Sequence, residues 1–477
     1  LSYTNPNKIN IDDIDLHNNN FYPQTPFGLP KILMVSTEYP PINGGVGRYT
    51  YNLVHELKTH GADVYVACDK HGKGDFLGLS PTNMHNSEIL LSLVDKIKPD
   101  IVHIQYEPGL YGLKMDSYKP SKIQTTIDLF YEKCAIPIVT TFHSGYTIRQ
   151  WMRIPEIILN KKESLLVQTK NKRNKKYTSL LLSSSLKGRL DSINIYWKYL
   201  ANYWTFQLQN RKKLYKSNRG IVFSDYMKDI ISTKSNNNNK TNCEKACVIY
   251  HGAEAAISIQ RINKIEARSR FQSIPQGVNN KIALAFGFMT VAKGWDVLEK
   301  MMVPENWTIV VNSSINHSTG ERIQLDSLAN KKANHIINLN RDYLSEEDLS
   351  ALFYASDAVL LPYKISSGSG VMFDALGHGI PFIASDLPFF NEFAAKGLGI
   401  TAKRTPNAFT DALIELDKNY NRYKNAVEVF KKNLGWNIIA SNHIEMYNDI
   451  IRPTKILTTA ATTTPVNSPQ DNASKLL

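Results

Sequence analysis

Tyr354-Ala355-Ser356-Asp357-Ala358-Val359-Leu360-Leu361-Pro362-Tyr363-Lys364-Ile365-Ser366-Ser367-Gly368-Ser369-Gly370-Val371-Met372-Phe373-Asp374 is the stretch on which the fold turns. Residues 358–361 are a short apolar run that reads as a buried strand, and Pro362 ends it. A Ser- and Gly-rich loop follows, then a helical pattern over 371–378. Ser367 and Ser369 can cap that helix. The N–H groups of Gly370 and Val371 can point at a phosphate. Asp374 lies one turn in, where a carboxylate can hold ribose hydroxyls. Capping alone would account for the serines. It leaves unexplained the glycines beside them in a loop at the carboxyl end of a strand, which favour a ligand site.

Strand-then-helix alternation continues on both sides of this stretch. The spacing predicts strands over 282–286, 307–311, 335–338 and 382–384, with helices over 293–302 and 345–354. An earlier series has strands over 31–36, 63–67, 101–104 and 136–140, with helices over 47–60 and 88–98. Such alternation implies an α/β protein of parallel sheets covered by helices on both faces. The first series breaks for about seventy residues and resumes over 220–223. An Asn run at 236–239 and a turn at His251-Gly252 suggest a hinge. The expected organisation is an N-terminal Rossmann-like domain over 30–252 and a C-terminal one over 253–435, two doubly wound sheets facing each other across a cleft. A disordered lead over 1–29 and a disordered tail over 453–477 complete it. Ligands of such sheets bind at the carboxyl ends of the strands.

The chain has 477 residues, 42% of them hydrophobic, and a formal net charge of +13. No run of eighteen apolar residues occurs, so no membrane-spanning helix is expected. The polar, Asn-rich start is not the pattern of a secretory signal. The four cysteines have no recognised zinc spacing. A reduced, cytoplasmic protein with no metal is the expectation. The charge is uneven: residues 149–216 hold 16 Lys/Arg against 3 Asp/Glu, and the rest of the chain balances.

After the first strand comes Tyr39-Pro40-Pro41-Ile42-Asn43-Gly44-Gly45-Val46-Gly47-Arg48. Glycines allow a ligand close approach, and a helix starting near Gly47 offers free amides to an anion. The alternative is a tight turn without a ligand. A nicotinamide fingerprint, with Asp69 as the ribose acid, fits less well, because its glycines should follow the strand immediately. Lys293, before Gly294, can neutralise a diphosphate as a point charge, though most exposed lysines are simply solvated. A lone histidine is more often structural than functional; His143, in Thr141-Phe142-His143, follows a strand at its carboxyl end, and that position brings the two readings level.

Together these motifs resemble the GT-B glycosyltransferases of family 4, the group 1 glycosyltransferases. The resemblance runs from about residue 31 to 451. It rests on Tyr39-Pro40-Pro41 through Gly44-Gly45-Val46-Gly47, Pro99-Asp100-Ile101-Val102-His103, Thr141-Phe142-His143 and Val248-Ile249-Tyr250-His251-Gly252. It continues with Phe286-Gly287 through Lys293-Gly294, the opening stretch, and Ala384-Ser385-Asp386. Trp436-Asn437-Ile438-Ile439-Ala440 resembles the family's last helix, expected over 436–452 and crossing back to the N-terminal domain.

The resemblance implies transfer of a sugar from a nucleotide-sugar donor to an acceptor hydroxyl with retention of configuration, with no cofactor and no metal. Donor phosphates would meet Lys293 and the amides of Gly370 and Val371, with Ser367 and Ser369 shaping that loop. Gly44 and Gly45 would face the reacting centre, His143 would position the donor sugar, and Asp374 would hold the ribose. Two positions depart from the family. Ser366 stands where an acid often opens an acid-x7-acid pair that Asp374 closes, and Phe288 stands where an arginine often precedes the lysine. The alternative these departures leave is a non-catalytic GT-B protein that binds nucleotide-sugar or scaffolds at a membrane.

The basic segment includes a cluster at Lys170, Lys172, Arg173, Lys175 and Lys176. Downstream, aromatics at 196, 199, 203 and 206 keep helical spacing. One reading is an amphipathic helix packed in the core beside a solvated basic loop. Another is a peripheral surface resting on anionic lipid, which would suit a lipid-linked or membrane-proximal acceptor. Nucleic acid is the third and weakest reading, since no nucleic-acid fold signature accompanies the patch.

Overall fold

The computed structural model describes residues 29–113, 124–157, 186–232, 244–253, 262–288, 290–314, 335–339, 341 and 343–462. The expected disordered lead, the cluster at 170–176, the Asn run at 236–239 and the end of the tail lie outside them.

The N-terminal half contains β1 (Lys31–Val35), α1 (Gly45–Thr59), β2 (Asp63–Asp69), β3 (Phe76–Leu79), α2 (Asn86–Ile97), β4 (Ile101–Tyr106), α3 (Asp128–Lys133) and β5 (Ile138–Phe142). It goes on through α4 (Ile148–Trp151), α5 (Leu186–Lys216), β6 (Arg219–Val222), α6 (Asp225–Ser232) and β7 (Ala246–Val248). Its seven strands pair in the order β3-β2-β1-β4-β5-β6-β7, all parallel.

The C-terminal half contains α7 (Lys264–Ser269), β8 (Lys281–Phe288), β9 (Trp307–Ser314), β10 (Ile336–Asn338), α8 (Glu346–Ala355), β11 (Ala358–Leu361) and α9 (Gly370–Gly377). It ends with β12 (Phe382–Ser385), α10 (Pro388–Ala394), β13 (Gly399–Ala402), α11 (Pro406–Lys418), α12 (Tyr420–Phe430) and α13 (Trp436–Thr462). Its six parallel strands run β10-β9-β8-β11-β12-β13. Each sheet therefore reverses its strand order beside its first strand, between β1 and β4 and between β8 and β11. Those switch points open the crevices where doubly wound sheets hold ligands.

The strands are near-continuous apolar runs because helices cover both faces. Every residue of β4 and of β9 is buried. In α1 the buried Tyr49, Leu53, Val54 and Leu57 recur at helical spacing. Ser345 begins α8 by accepting a hydrogen bond from the Asp348 amide at 3.1 Å. One core runs from the N-terminal sheet to α9, α10 and α13, and a second fills the other face of the C-terminal sheet around Trp307 and Leu413.

Three expectations change. The helix expected over 293–302 is two 3-10 turns, Val291–Lys293 and Trp295–Lys300, separated by Gly294 at φ +69°. That left-handed residue breaks the α-helical path. The last helix does not stop at 452: α13 extends to Thr462, into the stretch expected to be disordered. It packs against α1, and Tyr447 Oη lies 2.6 Å from His103 Nδ1 beneath β4. The edge strands β3, β7 and β13 were not foreseen.

In the basic segment, Tyr199 and Phe206 turn inward and form a small core with Trp151 of α4. Trp151 Nε1 donates to the Tyr199 carbonyl at 2.7 Å. Trp197 and Trp204 turn outward and are exposed. Lys213 is fully buried and paired with Asp128 of α3, which Thr125 Oγ1 also supports at 2.5 Å.

Candidate active site

A cavity of about 190 Å³ opens between the two sheets. From the N-terminal side it is lined by Gly44, Gly45, Arg48, Tyr49 and Asn52, on the loop after β1 and the start of α1. From the C-terminal side it is lined by Gly287 at the end of β8 and by Lys293, Gly370, Val371 and Asp374, which follow β8 and β11. Phe286, Leu344 and Leu349 add an apolar wall. The two switch points thus share one space.

The turn that carries Lys293 needs two glycines. Gly287 lies at φ +130°, a conformation that L side chains rarely adopt, although an added Cβ would only touch Lys293, whose Nζ would be 3.8 Å away. At Gly294 a Cβ would collide with the Pro362 carbonyl oxygen, so this turn sits directly against the end of β11. Lys293 Nζ donates to Tyr363 Oη at 2.6 Å and lies 3.9 Å from the centre of that ring. The ammonium is held in place beside the cavity.

Ser369 caps α9: its Oγ accepts from the Met372 amide at 3.2 Å. The amides of Gly370 and Val371, the first two of the helix, have no carbonyl one turn before them within it, and both residues line the cavity. Ser367 is buried but is not the cap; its hydroxyl is paired with the Tyr146 phenol. Ser366, at the acid position of the family pattern, donates from Oγ to the Gly368 carbonyl at 2.8 Å and so serves its own loop.

The loop after β1 differs from the expectation. Glu38 Oε1 accepts from the Gly47 amide at 2.8 Å, and the same carboxylate is bonded to the Val46 amide. The anion position expected at this helix start is therefore filled by the chain's own carboxylate. Burial raises the Glu38 pKa, against the lowering effect of those amides. A Cβ at Gly44 would overlap the Glu38 carboxylate and displace it from the Gly47 and Val46 amides. Gly44 and Gly45 still line the cavity.

Asp374 reaches the cavity but does not stand free. Its Oδ2 accepts from Arg48 Nη1 at 2.7 Å. Arg48 also holds Glu346 of α8, by Nε at 2.7 Å and by Nη2 at 2.8 Å. Burial works against the charge on Arg48, but Asp374 and Glu346 outweigh it and hold the guanidinium firmly protonated. One arginine from the first domain therefore clasps two carboxylates of the second.

His143 is not brought to the cavity lining. It lies edge-on to Tyr49, ring centres 5.2 Å apart, and Tyr49 is the residue that lines the cavity. His143 Nε2 is 2.8 Å from Gln105 Oε1, so the proton belongs on Nε2 and Nδ1 remains an acceptor. Burial, with His251 nearby, lowers its pKa to about 3, and it is neutral at pH 7.

Several residues of the cavity wall, and Glu346 of the ionic clasp beside it, were missed as site residues. Arg48, His251 and Trp436 lie inside recognised motifs, so only their role was overlooked. Glu346 and Tyr343 carry no local signal; one looks like a helix-start acid and the other like a loop tyrosine. Among the described residues, no group of three or more His, Cys, Asp and Glu side chains is arranged to hold a metal ion.

Two parallel sheets that share one strand order over six strands, their switch points facing one cavity lined by a lysine and a capped helix start, make up a GT-B fold. Residues 43–255 match the family model described as Glycosyltransferase Family 4. No curated protein sequence matches the chain. The fold is shared with solved structures at low identity. Sucrose-phosphate synthase from Thermosynechococcus elongatus matches at TM-score 0.60 and 13% identity, over 89% of this chain and 100% of that one. A glycosyltransferase from Rickettsia africae matches at 0.57 and 16%, over 89% and 99%. HepE from Anabaena, solved in complex with UDP-glucose, matches at 0.52 and 12%, over 90% and 100%.

Proposed function

We propose that this glycosyltransferase moves a sugar from a nucleoside-diphosphate sugar to an acceptor hydroxyl with retention of configuration, and that the acceptor is a lipid-linked or membrane-proximal glycan. The observation that carries the donor reading is that Lys293 lines one cavity together with Gly370 and Val371, the first residues of α9. The departing nucleoside diphosphate gains negative charge as the bond from anomeric carbon to phosphate oxygen breaks. A fixed ammonium and two preoriented amides stabilise that charge as it forms. No carboxylate in the described lining is free to act as a nucleophile, since Asp374 is engaged by Arg48. The reading is therefore front-face attack: the acceptor oxygen bonds the anomeric carbon, and its proton passes to the leaving phosphate oxygen. His143, behind Tyr49, acts through the ring it supports. Asp374 keeps Oδ1 for ribose hydroxyls. No resident metal or cofactor enters this scheme.

The basic excess over 149–216 supports the acceptor reading. The HepE complex makes uridine diphosphate sugars the first donors to try. Thermal shift against a panel of sugar nucleotides, followed by donor hydrolysis, tests the proposal. A single strongly stabilising donor that is also turned over supports it. Stabilisation without hydrolysis or transfer to any acceptor would leave a binding module instead.

A further inference from the structure

His251 follows β7 and lines the cavity. Four rings from four parts of the chain box it in. Phe373 of α9 stacks on it, with ring centres 5.7 Å apart and planes 9° from parallel. Tyr49 of α1, Phe223 just after β6 and Trp436 of α13 surround it at 5.0, 5.3 and 6.0 Å. A ring held on so many sides keeps one orientation. Its Nδ1 lies 2.6 Å from the Gly252 carbonyl oxygen. A carbonyl only accepts, so Nδ1 carries the hydrogen and Nε2 presents a lone pair. That lone pair lies against the first residue of α9: a Cβ added to Gly370 would sit 3.4 Å from Nε2. Among the described residues, no hydrogen-bond donor meets Nε2.

The start of α9 is also where the donor diphosphate is placed in the reading above. A bare lone pair and a phosphate oxygen repel each other. One proton between them turns the repulsion into a charge-assisted hydrogen bond. We propose that His251 takes up a proton from solvent when a nucleoside diphosphate binds, and that its Nε2–H then donates to a phosphate oxygen. The site thereby gains a second cation in addition to Lys293. Only an N–H bond forms, and the proton returns to solvent as the diphosphate leaves. This deepens the donor reading and rests on it.

The charges around the ring fit such a switch. Burial lowers the ligand-free His251 to about 4; Asp374 of α9 and the Gly252 carbonyl pull the other way, and Arg48 of α1 adds to the lowering. His143, on the far side of Tyr49, is itself neutral, and burial keeps the Tyr49 phenol protonated. His251 is therefore neutral at pH 7 until an anion arrives. One phosphate charge about 4 Å away, at an effective dielectric of about 20, is enough to raise the ring to about 7. Binding and protonation then favour each other reciprocally.

The full chain is titrated calorimetrically with UDP, GDP and ADP at pH 7, in PIPES and in Tris, whose heats of ionisation differ. The dependence of the heat on buffer counts the protons taken up. The parent is expected to take up about half a proton more than His251→Gln, any proton carried by the nucleotide itself being common to both. Between pH 6 and pH 9 the parent's affinity should fall about tenfold more than the variant's. A ring that merely fills the box would change the melting temperature and leave the proton count alone. If the variant does not fold, spectra of the parent labelled with 13C at histidine Cε1 decide, since one neutral histidine must become an imidazolium when nucleotide is added. Equal proton counts, or no new imidazolium, overturn the proposal while nucleotide binding stands. So does a variant whose affinity falls only for nucleotide-sugars, since Nε2 then accepts from a sugar hydroxyl. No binding of any of the three nucleotides overturns the donor reading itself, and this inference with it.

Discussion

Arg48 Nη1 and Asp374 Oδ2 lie 2.7 Å apart across the boundary between the two domains, though 326 residues separate them in sequence. With the forked contact to Glu346, this pairing makes the first turns of α1, α8 and α9 one ionic cluster beside the cavity. Asp374 is almost entirely shielded and Arg48 mostly so. Attraction between such groups is stronger than on an open surface, and leaving one of them unpaired is correspondingly costly.

Arg48→Ala should therefore loosen domain closure as well as remove a charge. Truncating one partner of such a pair typically costs ~2 kcal/mol or more. We expect a fall of roughly 30-fold in kcat/KM for the donor, and a weaker loss in Glu346→Gln, which leaves the Asp374 contact. Arg48→Lys should recover little, because one ammonium cannot span both carboxylates. Steady-state kinetics on the three variants check this, and parental rates in Arg48→Ala would remove the clasp from turnover.

Lys293→Ala removes the cation held by Tyr363. Losing one group that stabilises developing charge costs about 100- to 1,000-fold in kcat. The melting temperature without donor should stay near the parent's, because Lys293 borders a cavity and fills no core. A variant that loses donor affinity but keeps kcat would show that Lys293 binds the ground state and the transition state alike.

Gly294→Ala should destabilise the protein by about 1–3 kcal/mol from its left-handed backbone alone, and by more from the collision with the Pro362 carbonyl. A lower melting temperature with reduced donor response is expected in a thermal-shift assay. Gly45→Ala serves as the contrast, since a Cβ there meets nothing within 4 Å. If the two variants melt alike, the close packing of this turn on β11 is not what constrains it.

Acid should weaken the fold between pH 6.5 and 4. Burial lowers His443 and His251 to about 4 and His143 to about 3, and burial with neighbouring His443 and His143 keeps His103 well below its usual value. Each folded pKa lies below the unfolded one, so the unfolded chain takes up more protons in this window. Their contribution is complete above about pH 6.5 and is lost as pH falls. His443 alone should cost ~2 kcal/mol at pH 5. Melting curves at pH 7, 6 and 5 test this. A melting temperature that does not fall would contradict it, and His443→Gln should flatten the slope.

Much of the fold was legible because its signals are local. Strands β1, β2, β4, β8, β9, β11 and β12 were placed to within two residues or so, since a buried parallel strand is a short apolar run between turn residues. The short edge strands β3, β7 and β13 were missed because half-buried runs of three or four residues look like loop. The turn at Lys293 was misread as a helix because apolar spacing does not report the backbone angle Gly294 adopts.

The site divides in the same way. Glycines, a capping serine and a lysine at the ends of strands mark where a ligand can approach, and the chain itself determined those positions together with the excess of positive charge. The docked domains decided the rest: that Glu38 fills the amides of α1, that Arg48 closes on Asp374 and Glu346, that Tyr49 stands between His143 and the cavity, and that Trp197 and Trp204 face outward. Periodicity and turn chemistry act over a few residues and can be read from order alone. Ion pairs and ring contacts act over a few ångströms, and which side chains come that close depends on how separate helices and sheets are set against one another.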